Sequence, residues 1–214
     1  MRTRRLGLVA YEATWRAMQA FTQARGAQTP DELWLLRHPP VFTLGLAARA
    51  EHVLAAGDIP VVRTDRGGQV TYHGPGQVVA YVLLDLRRNG IGVKELVRRL
   101  EQSVLDLLQD DGIAGERVAG RPGVYVAGRK LAAVGLRVAR GCSYHGLALN
   151  VDLPLEPFAR IDPCGYPGLQ STSLATLGVR DSIDAVQERL GAALQKALAA
   201  QTLAAGVPDL LGLS

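Results

Sequence analysis

Two long stretches of the chain repeat apolar residues at helical spacing. Between residues 94 and 109, apolar side chains recur every three or four positions, and Gly112 follows as a helix end. Residues 181–200 have the same pattern. Residues 11–25 are also typical of a helix and stop at Gly26. The pattern therefore predicts three helices.

The remaining apolar stretches are short and broken by glycine or proline, which favours strands. A meander is predicted within residues 118–153, where a tight turn at Gly128 places Lys130 at the start of a strand. Because strands and helices do not alternate, a doubly wound sheet is excluded. We predict one α/β domain over residues 1–214, of the α+β kind, with a mixed, largely antiparallel sheet flanked by helices. The other predicted strands cover residues 6–10, 33–37, 41–44, 61–64 and 77–86, the last of them central.

Composition narrows the class of protein. The chain has 214 residues, 48% of them apolar, and it lacks low-complexity tracts, so we expect an ordered core. Apolar runs are too short for a membrane span or a signal peptide, and we expect a cytoplasmic protein. The net charge of +4 is spread along the chain, which argues against nucleic-acid binding but favours an acidic partner protein. Without a heptad pattern, we expect a monomer.

Residues 66–77, RGGQVTYHGPGQ, carry four glycines around Tyr72 and His73, and an apolar strand follows at once. Glycines allow positive φ and let a ligand approach the backbone closely, while the aromatic rings can wall an apolar pocket. The segment favours a binding wall for a slender ligand at the mouth of a strand. A hairpin turn without a ligand is an equal alternative.

The two cysteines, Cys142 and Cys164, lack the C-x-x-C spacing of a zinc site and are too few for a disulfide scaffold. Cys142 lies among short strands, which indicates a structural thiol. Cys164 lies in a loop stiffened by proline and glycine, IDPCGYPG, and is a candidate nucleophile. An unreactive loop thiol is the alternative.

A cysteine nucleophile needs a nearby cation, because only about 3% of an unperturbed thiol is ionised at pH 7. Lysine is rare here: only Lys94, Lys130 and Lys196 occur among 24 basic residues. Lys130 is therefore the leading candidate, since lysine can also carry a proton and arginine cannot. The other candidate cations are His73, His145 and several arginines. Lys130 could instead be a solvated hairpin residue, and both histidines could be neutral packing groups.

Five segments in order resemble the lipoyl(octanoyl) transferases: RHPPVFTLG, RGGQVTYHGPGQ, GVYVAGRKLAAVGLRV, GCSYHGLALNV and PCGYPG. The resemblance covers residues 37–168. It implies the fold shared by lipoate ligases and biotin protein ligases. It also implies transfer of an octanoyl or lipoyl group from acyl carrier protein to a lysine of a lipoyl domain, without ATP, metal or cofactor. The implied acceptors are the acyltransferase subunits of 2-oxoacid dehydrogenases and the glycine-cleavage H protein.

The resemblance also implies roles for individual residues. Cys164 matches the cysteine that carries the acyl thioester, and Lys130 matches its partner. The implied substrate-binding residues are Arg66, Gly67, Gly68, Gln69, Val70, Thr71, Tyr72, His73, Ala133, Val134, Gly135, Gly146, Leu147 and Ala148.

Two other functions are compatible with the residues. An ATP-dependent lipoate or biotin ligase of the same fold would not need the cysteine–lysine pair. A non-catalytic module would hold an acyl group or a carrier protein without forming a covalent bond.

Overall fold

The computed structural model describes residues 1–162 and 169–199. Its helices are α1 (Tyr11–Ala24), α2 (Val93–Asp110), α3 (Glu156–Ala159) and α4 (Ile183–Ala199), with a 3-10 turn at Ala50–His52. Its strands are β1 (Arg2–Leu8), β2 (Glu32–Arg37), β3 (Val41–Leu44), β4 (Val61–Arg63), β5 (Val70–His73), β6 (Gln77–Leu83), β7 (Glu116–Val118), β8 (Arg121–Val126), β9 (Arg129–Ala139) and β10 (Cys142–Asn150).

The strands form two sheets. The large sheet has seven strands in the order β1-β2-β6-β10-β9-β8-β7, and its only parallel pair within the described residues is β1–β2. The small sheet has the order β4-β3-β5, with β3 parallel to β4 and antiparallel to β5. The predicted mixed, largely antiparallel sheet with flanking helices is confirmed.

The two faces of the large sheet have different partners. One face packs against α2 and α4 and forms the main apolar core, which includes Leu147 and Leu149 of β10. The opposite face packs against α1 through a smaller cluster around Met18 and Tyr81. Because side chains alternate along a strand, this second face of β10 carries Gly146 and Ala148. These small residues leave space above the sheet.

The predicted helices are confirmed within one or two residues over their described parts. The turn at Gly128 is also confirmed, with φ of 47° at Ala127 and 74° at Gly128. Two predicted strands had wrong boundaries. The strand predicted at 77–86 ends at Leu83. The strand predicted at 6–10 spans Arg2–Leu8, because an arginine-rich edge strand lacks apolar alternation. None of the described helices is long and apolar enough to cross a membrane.

Candidate active site

A cavity of about 430 Å³ lies between the second face of the large sheet and the glycine-rich segment. Strands β6, β9 and β10 form its floor. Residues 66–71 and His73 form its roof, and α2 contributes to its rim through Val93 and Val97. The glycine-rich segment therefore lines a cavity, as a binding wall must, and the binding of a ligand there stays a prediction.

Small residues on neighbouring strands make the floor. Ala148 of β10 lies opposite Ala133 of β9, and Gly146 lies opposite Gly135. A Cβ atom at Gly146 would clash with the carbonyl oxygen of Ala80 on β6, so only glycine permits this close pairing. The result is a groove along the sheet with little side-chain bulk in it.

The roof is fixed by hydrogen bonds from Arg66 and Gly67. The backbone N–H of Gly67 donates to the carbonyl oxygen of Leu136 on β9 at 2.8 Å. The Arg66 guanidinium donates to the carbonyl oxygen of Thr43 at 2.7 Å and to that of Gly67 at 3.0 Å. A Cβ atom at Gly135 would lie 3.0 Å from the Gly67 oxygen. Roof and floor therefore meet along β9, and the cavity is a narrow slot.

Lys130 is the first residue of β9 that lines this slot. It is half-buried and lines the cavity, and its Nζ lies 5.6 Å from the centroid of the Tyr125 ring. Gly135 lines the same slot five residues further along β9, a distance of roughly 17 Å at the usual strand rise. The slot therefore extends along β9 from Lys130 towards Gly135. Because Lys130 is half-buried and lines this slot, it is not a fully solvated hairpin residue.

Cys164 lies outside the described residues, so the predicted cysteine–lysine pair stays a prediction. The described chain resumes at Leu169. The next residues pair with β9: the N–H of Lys130 donates to the carbonyl oxygen of Gln170 at 2.8 Å, and the N–H of Thr172 donates to that of Lys130 at 2.9 Å.

A polar cluster around Asp65, missed in the sequence, lies beside the slot. Its carboxylate accepts hydrogen bonds from Trp15, Gln19, Tyr144 and His145. Burial alone would raise the pKa of Asp65, but the hydrogen bonds from His145, Tyr144 and Gln19 hold it well below its usual range. Burial and the Asp65 carboxylate raise the pKa of Tyr144 to about 12.

Tyr144 and His145 are consecutive on β10, yet both reach Asp65. Side chains of neighbouring strand residues normally point to opposite faces. His145 has φ of 61°, which breaks the alternation and turns both rings to the same side, with ring centroids 5.1 Å apart. Burial lowers the pKa of His145, so the 2.9 Å contact to Asp65 is a hydrogen bond from a neutral ring at pH 7.

His73 is also neutral, and its tautomer follows from its partners. The Gln77 amide nitrogen donates to the Asn150 side-chain oxygen, so the Gln77 oxygen accepts from His73 Nδ1 at 2.7 Å. Burial lowers the pKa of His73 to about 3. Burial thus lowers the pKa of both candidate histidines, which favours the neutral packing role for each of them over the role of a cation beside the thiol.

The slot brings together all but one of the predicted substrate-binding residues. Tyr72 is the exception: its side chain points away from the slot and packs with Phe42 and Phe158, each at a ring-centroid distance of 5.5 Å. The glycine-rich segment contains strand β5, and alternation along β5 turns Thr71 and His73 to the slot and Tyr72 to the other side. In the described ranges, metal-ligating side chains do not gather in groups of three.

A family model and individual relatives both match this chain over most of its length. Residues 10–195 match the family described as lipoyl protein ligase A/B catalytic domain. The octanoyltransferase of Thiobacillus denitrificans is 63% identical over 195 residues, which cover 91% of this chain and 89% of the relative. The octanoyltransferase of Pseudomonas fluorescens is 56% identical over 208 residues, covering 96% and 97%.

Solved structures share the fold at low identity. A putative lipoate protein ligase from T. acidophilum, with bound lipoic acid, superposes with a TM-score of 0.75 at 16% identity, covering 92% of this chain and 85% of that one. Biotin protein ligase from Aquifex aeolicus, in complex with biotin and ATP, has a TM-score of 0.55 at 12% identity, covering 92% and 70%. The chain therefore belongs to the lipoyl protein ligase A/B catalytic domain family and, within it, to the octanoyltransferases, which are acyltransferases.

Proposed function

We propose that this protein transfers an octanoyl (or lipoyl) group from acyl carrier protein to a specific lysine of a lipoyl domain, through a thioester on Cys164. The observation that carries the proposal is the slot floored by glycine and alanine, with Lys130 among the residues that line it. A straight acyl chain fits such a groove, and the reacting carbonyl would lie near Lys130. The octanoyltransferase relatives support the same acyl group.

The first step exchanges one thioester for another. Lys130 takes the proton of the Cys164 thiol, and the thiolate attacks the carbonyl carbon of the acyl group on the phosphopantetheine arm. The carbon–sulfur bond to the arm breaks, and the departing sulfur takes the proton back. A thioester is formed and a thioester is lost, so the step is close to balanced.

The second step forms the stable product. The amine of the target lysine attacks the Cys164 thioester, an amide bond forms, and the Cys164 sulfur leaves. Lys130 accepts the proton that the amine loses and can return it to the sulfur. Since an amide is more stable than a thioester, the step is downhill and needs no ATP, metal or other cofactor.

The slot also accounts for substrate affinity. About seven carbons of an octanoyl chain, buried at about 0.8 kcal/mol each, would contribute about 5–6 kcal/mol before the entropy cost of binding. Residues 66–71, His73, 133–135 and 146–148 would contact the chain. The donor would be octanoyl-acyl carrier protein, and the acceptors the lipoyl domains of 2-oxoacid dehydrogenase acyltransferase subunits and the glycine-cleavage H protein. The protein would work as a cytoplasmic monomer.

The decisive experiment is an intact-mass spectrum after mixing the protein with octanoyl-acyl carrier protein in the absence of ATP. A gain of one octanoyl unit, released by hydroxylamine, is expected for the wild type and for Cys142→Ala. The gain should be absent in Cys164→Ala. An unmodified wild-type protein that turns over only after ATP is added would reject the proposal in favour of an ATP-dependent ligase.

A further inference from the structure

Gly123 on β8 lies directly beneath the side chain of Lys130. A Cβ atom at Gly123 would lie 3.0 Å from Lys130 Cε, tighter than ordinary van der Waals contact, and would also clash with the carbonyl oxygen of Ala132. Gly123 has φ of +134°, a backbone conformation that L-residues rarely adopt. The lysine stem therefore crosses bare backbone at this point.

The backbone around Lys130 is irregular. The direction of the Lys130 side chain therefore depends on the neighbouring backbone that supports this strand. The β8–β9 register pairs Val124 with Ala132 but Tyr125 with Lys130, so Leu131 is an extra residue on β9. Such a bulge bends a strand and redirects the adjacent side chain. Here Leu131 is fully buried in the main core, while Lys130 faces the slot.

Glu101 of α2 holds Gly123 in place. The β7–β8 register skips between Glu116 and Val118, at the level of Gly123. Glu101 Oε1 accepts the Gly123 N–H at 2.9 Å, and its other oxygen pairs with Arg117 Nε at 3.1 Å. Gly123 is buried and Glu101 is 7% exposed, so breaking the bond between them would leave a buried backbone donor without this partner.

We infer that Glu101 is a positioning residue of the active site: through Gly123 it fixes the backbone over which Lys130 reaches the slot. Glu101 does not touch the substrate or the reacting atoms. It acts by holding β8 at the distance from α2 that the bulge and the lysine stem require. The inference rests on the proposed function, because only that function gives Lys130 a role in catalysis.

The position of Lys130 can be observed without any reaction. The chain has only three lysines, and Lys94 and Lys196 are both exposed. Reductive methylation with ¹³C-formaldehyde therefore gives three lysine signals, which Lys94→Arg and Lys196→Arg assign. In Glu101→Leu we expect the Lys130 signal to shift or broaden, while the other two keep the wild-type positions.

Two variants separate positioning from general stability. Glu101→Gln keeps an oxygen that accepts from Gly123, so the Lys130 signal should remain close to the wild-type position. Arg117→Met removes the other partner of Glu101 and leaves the bond to Gly123, so it should also leave Lys130 unchanged. If all three variants shift the Lys130 signal equally, or if Glu101→Leu leaves the Lys130 signal unchanged, Glu101 does not position Lys130.

Activity is measured separately, as single-turnover acylation of unmethylated enzyme by octanoyl-acyl carrier protein. In Glu101→Leu the rate constant should fall about 10- to 100-fold, the range expected for a misplacement of about 1 Å, with the half-saturating donor concentration unchanged. Glu101→Gln and Arg117→Met should stay within about threefold of the wild type. A shifted Lys130 signal with a wild-type rate would support the placement by Glu101 and overturn the role proposed for Lys130 in transfer.

Discussion

The backbone of Lys130 is hydrogen-bonded to Gln170, six residues after Cys164 in the sequence. The 2.8 Å bond from the Lys130 N–H to the Gln170 oxygen is followed by a 2.9 Å bond from the Thr172 N–H to the Lys130 oxygen. The side-chain amide of Asn150 donates to the Thr172 oxygen as well, also at 2.9 Å. Residues 170–172 are thus tied to both β9 and β10.

Replacing Lys130 by arginine should impair transfer nearly as much as replacing it by alanine. Arginine keeps the positive charge but does not give up its proton at neutral pH, whereas lysine can carry a proton between donor and acceptor. Loss of a general base typically costs about 10²- to 10⁴-fold in rate, and we expect both variants to fall in this range. Steady-state octanoyl transfer to a purified lipoyl domain measures the effect.

Lys94→Arg is the matched control, because Lys94 is exposed on α2, and it should retain wild-type transfer. Near-normal turnover in Lys130→Arg would show that charge alone suffices, and the proton-carrying role would be rejected.

Local patterns were sufficient to predict much of this architecture. The apolar spacing predicted α2 and α4, because a helix that covers a sheet must present one apolar face. The turn at Gly128 placed Lys130 correctly, since glycine readily adopts the positive φ that a two-residue hairpin turn requires. The glycine-rich segment, predicted as a binding wall, lines the cavity.

Features that depend on distant contacts were not predictable. The Asp65 cluster joins side chains about 80 positions apart, and it requires a positive φ at His145, a residue type that gives no reliable signal of it. The direction of Tyr72 was missed because β5 was not recognised as a strand. The support of Gly123 by Glu101 links α2 to a sheet edge, and no pattern in either segment indicates it.

Replacing Ala148 by leucine should shorten the acyl chain that the enzyme prefers. Ala148 lies between Val79 and Ala133 on the floor of the slot, where a larger side chain would occupy the path of the substrate. Excluding two methylene groups at about 0.8 kcal/mol each would disfavour octanoyl relative to hexanoyl by about 15-fold. Competition between the two acyl carrier protein thioesters, with the products resolved by mass, gives the ratio.

Leu149→Met tests whether the effect belongs to the slot. Leu149 is the next residue on β10, but its side chain packs into the core on the opposite face, and methionine conserves its volume. This variant should keep the wild-type ratio. An equal change in both variants would mean that the ratio responds to general disturbance of β10.

Cys142→Ser should reduce stability without slowing transfer. The Cys142 side chain is buried on β10, and burial raises the pKa of its thiol, so it behaves as an apolar group. A hydroxyl in its place would cost about 1–3 kcal/mol in the free energy of unfolding if it finds no good partner. Urea unfolding and the octanoyl transfer rate, measured on the same preparation, separate the two effects. A large loss of transfer in a folded variant would contradict a structural role for Cys142.

Folding stability should decline as the pH falls from about 6.5 towards 4, because buried histidines stay neutral in the native state. Burial lowers the pKa of His38 to about 4 and that of His73 to about 3. Below pH 6.5 the unfolded chain binds protons that the native state does not. The contribution of these histidines to stability is therefore fully present above pH 6.5 and is lost progressively below it. Each histidine contributes a slope of at most about 1.4 kcal/mol per pH unit. Urea unfolding at a series of pH values measures the slope.

His38→Gln should flatten this slope, since it removes one of the groups that protonate only on unfolding. Its Nδ1 donates to the Val9 oxygen at 2.7 Å and its Nε2 accepts from the Tyr81 hydroxyl at 2.7 Å, so some loss of stability at pH 7 is also expected. Asp65 cannot produce the same decline: its depressed carboxyl pKa makes its contribution fall only below about pH 4, the usual range of a carboxyl group. A slope in His38→Gln equal to that of the wild type would mean that His38 binds its proton equally well in the folded protein and in the unfolded chain.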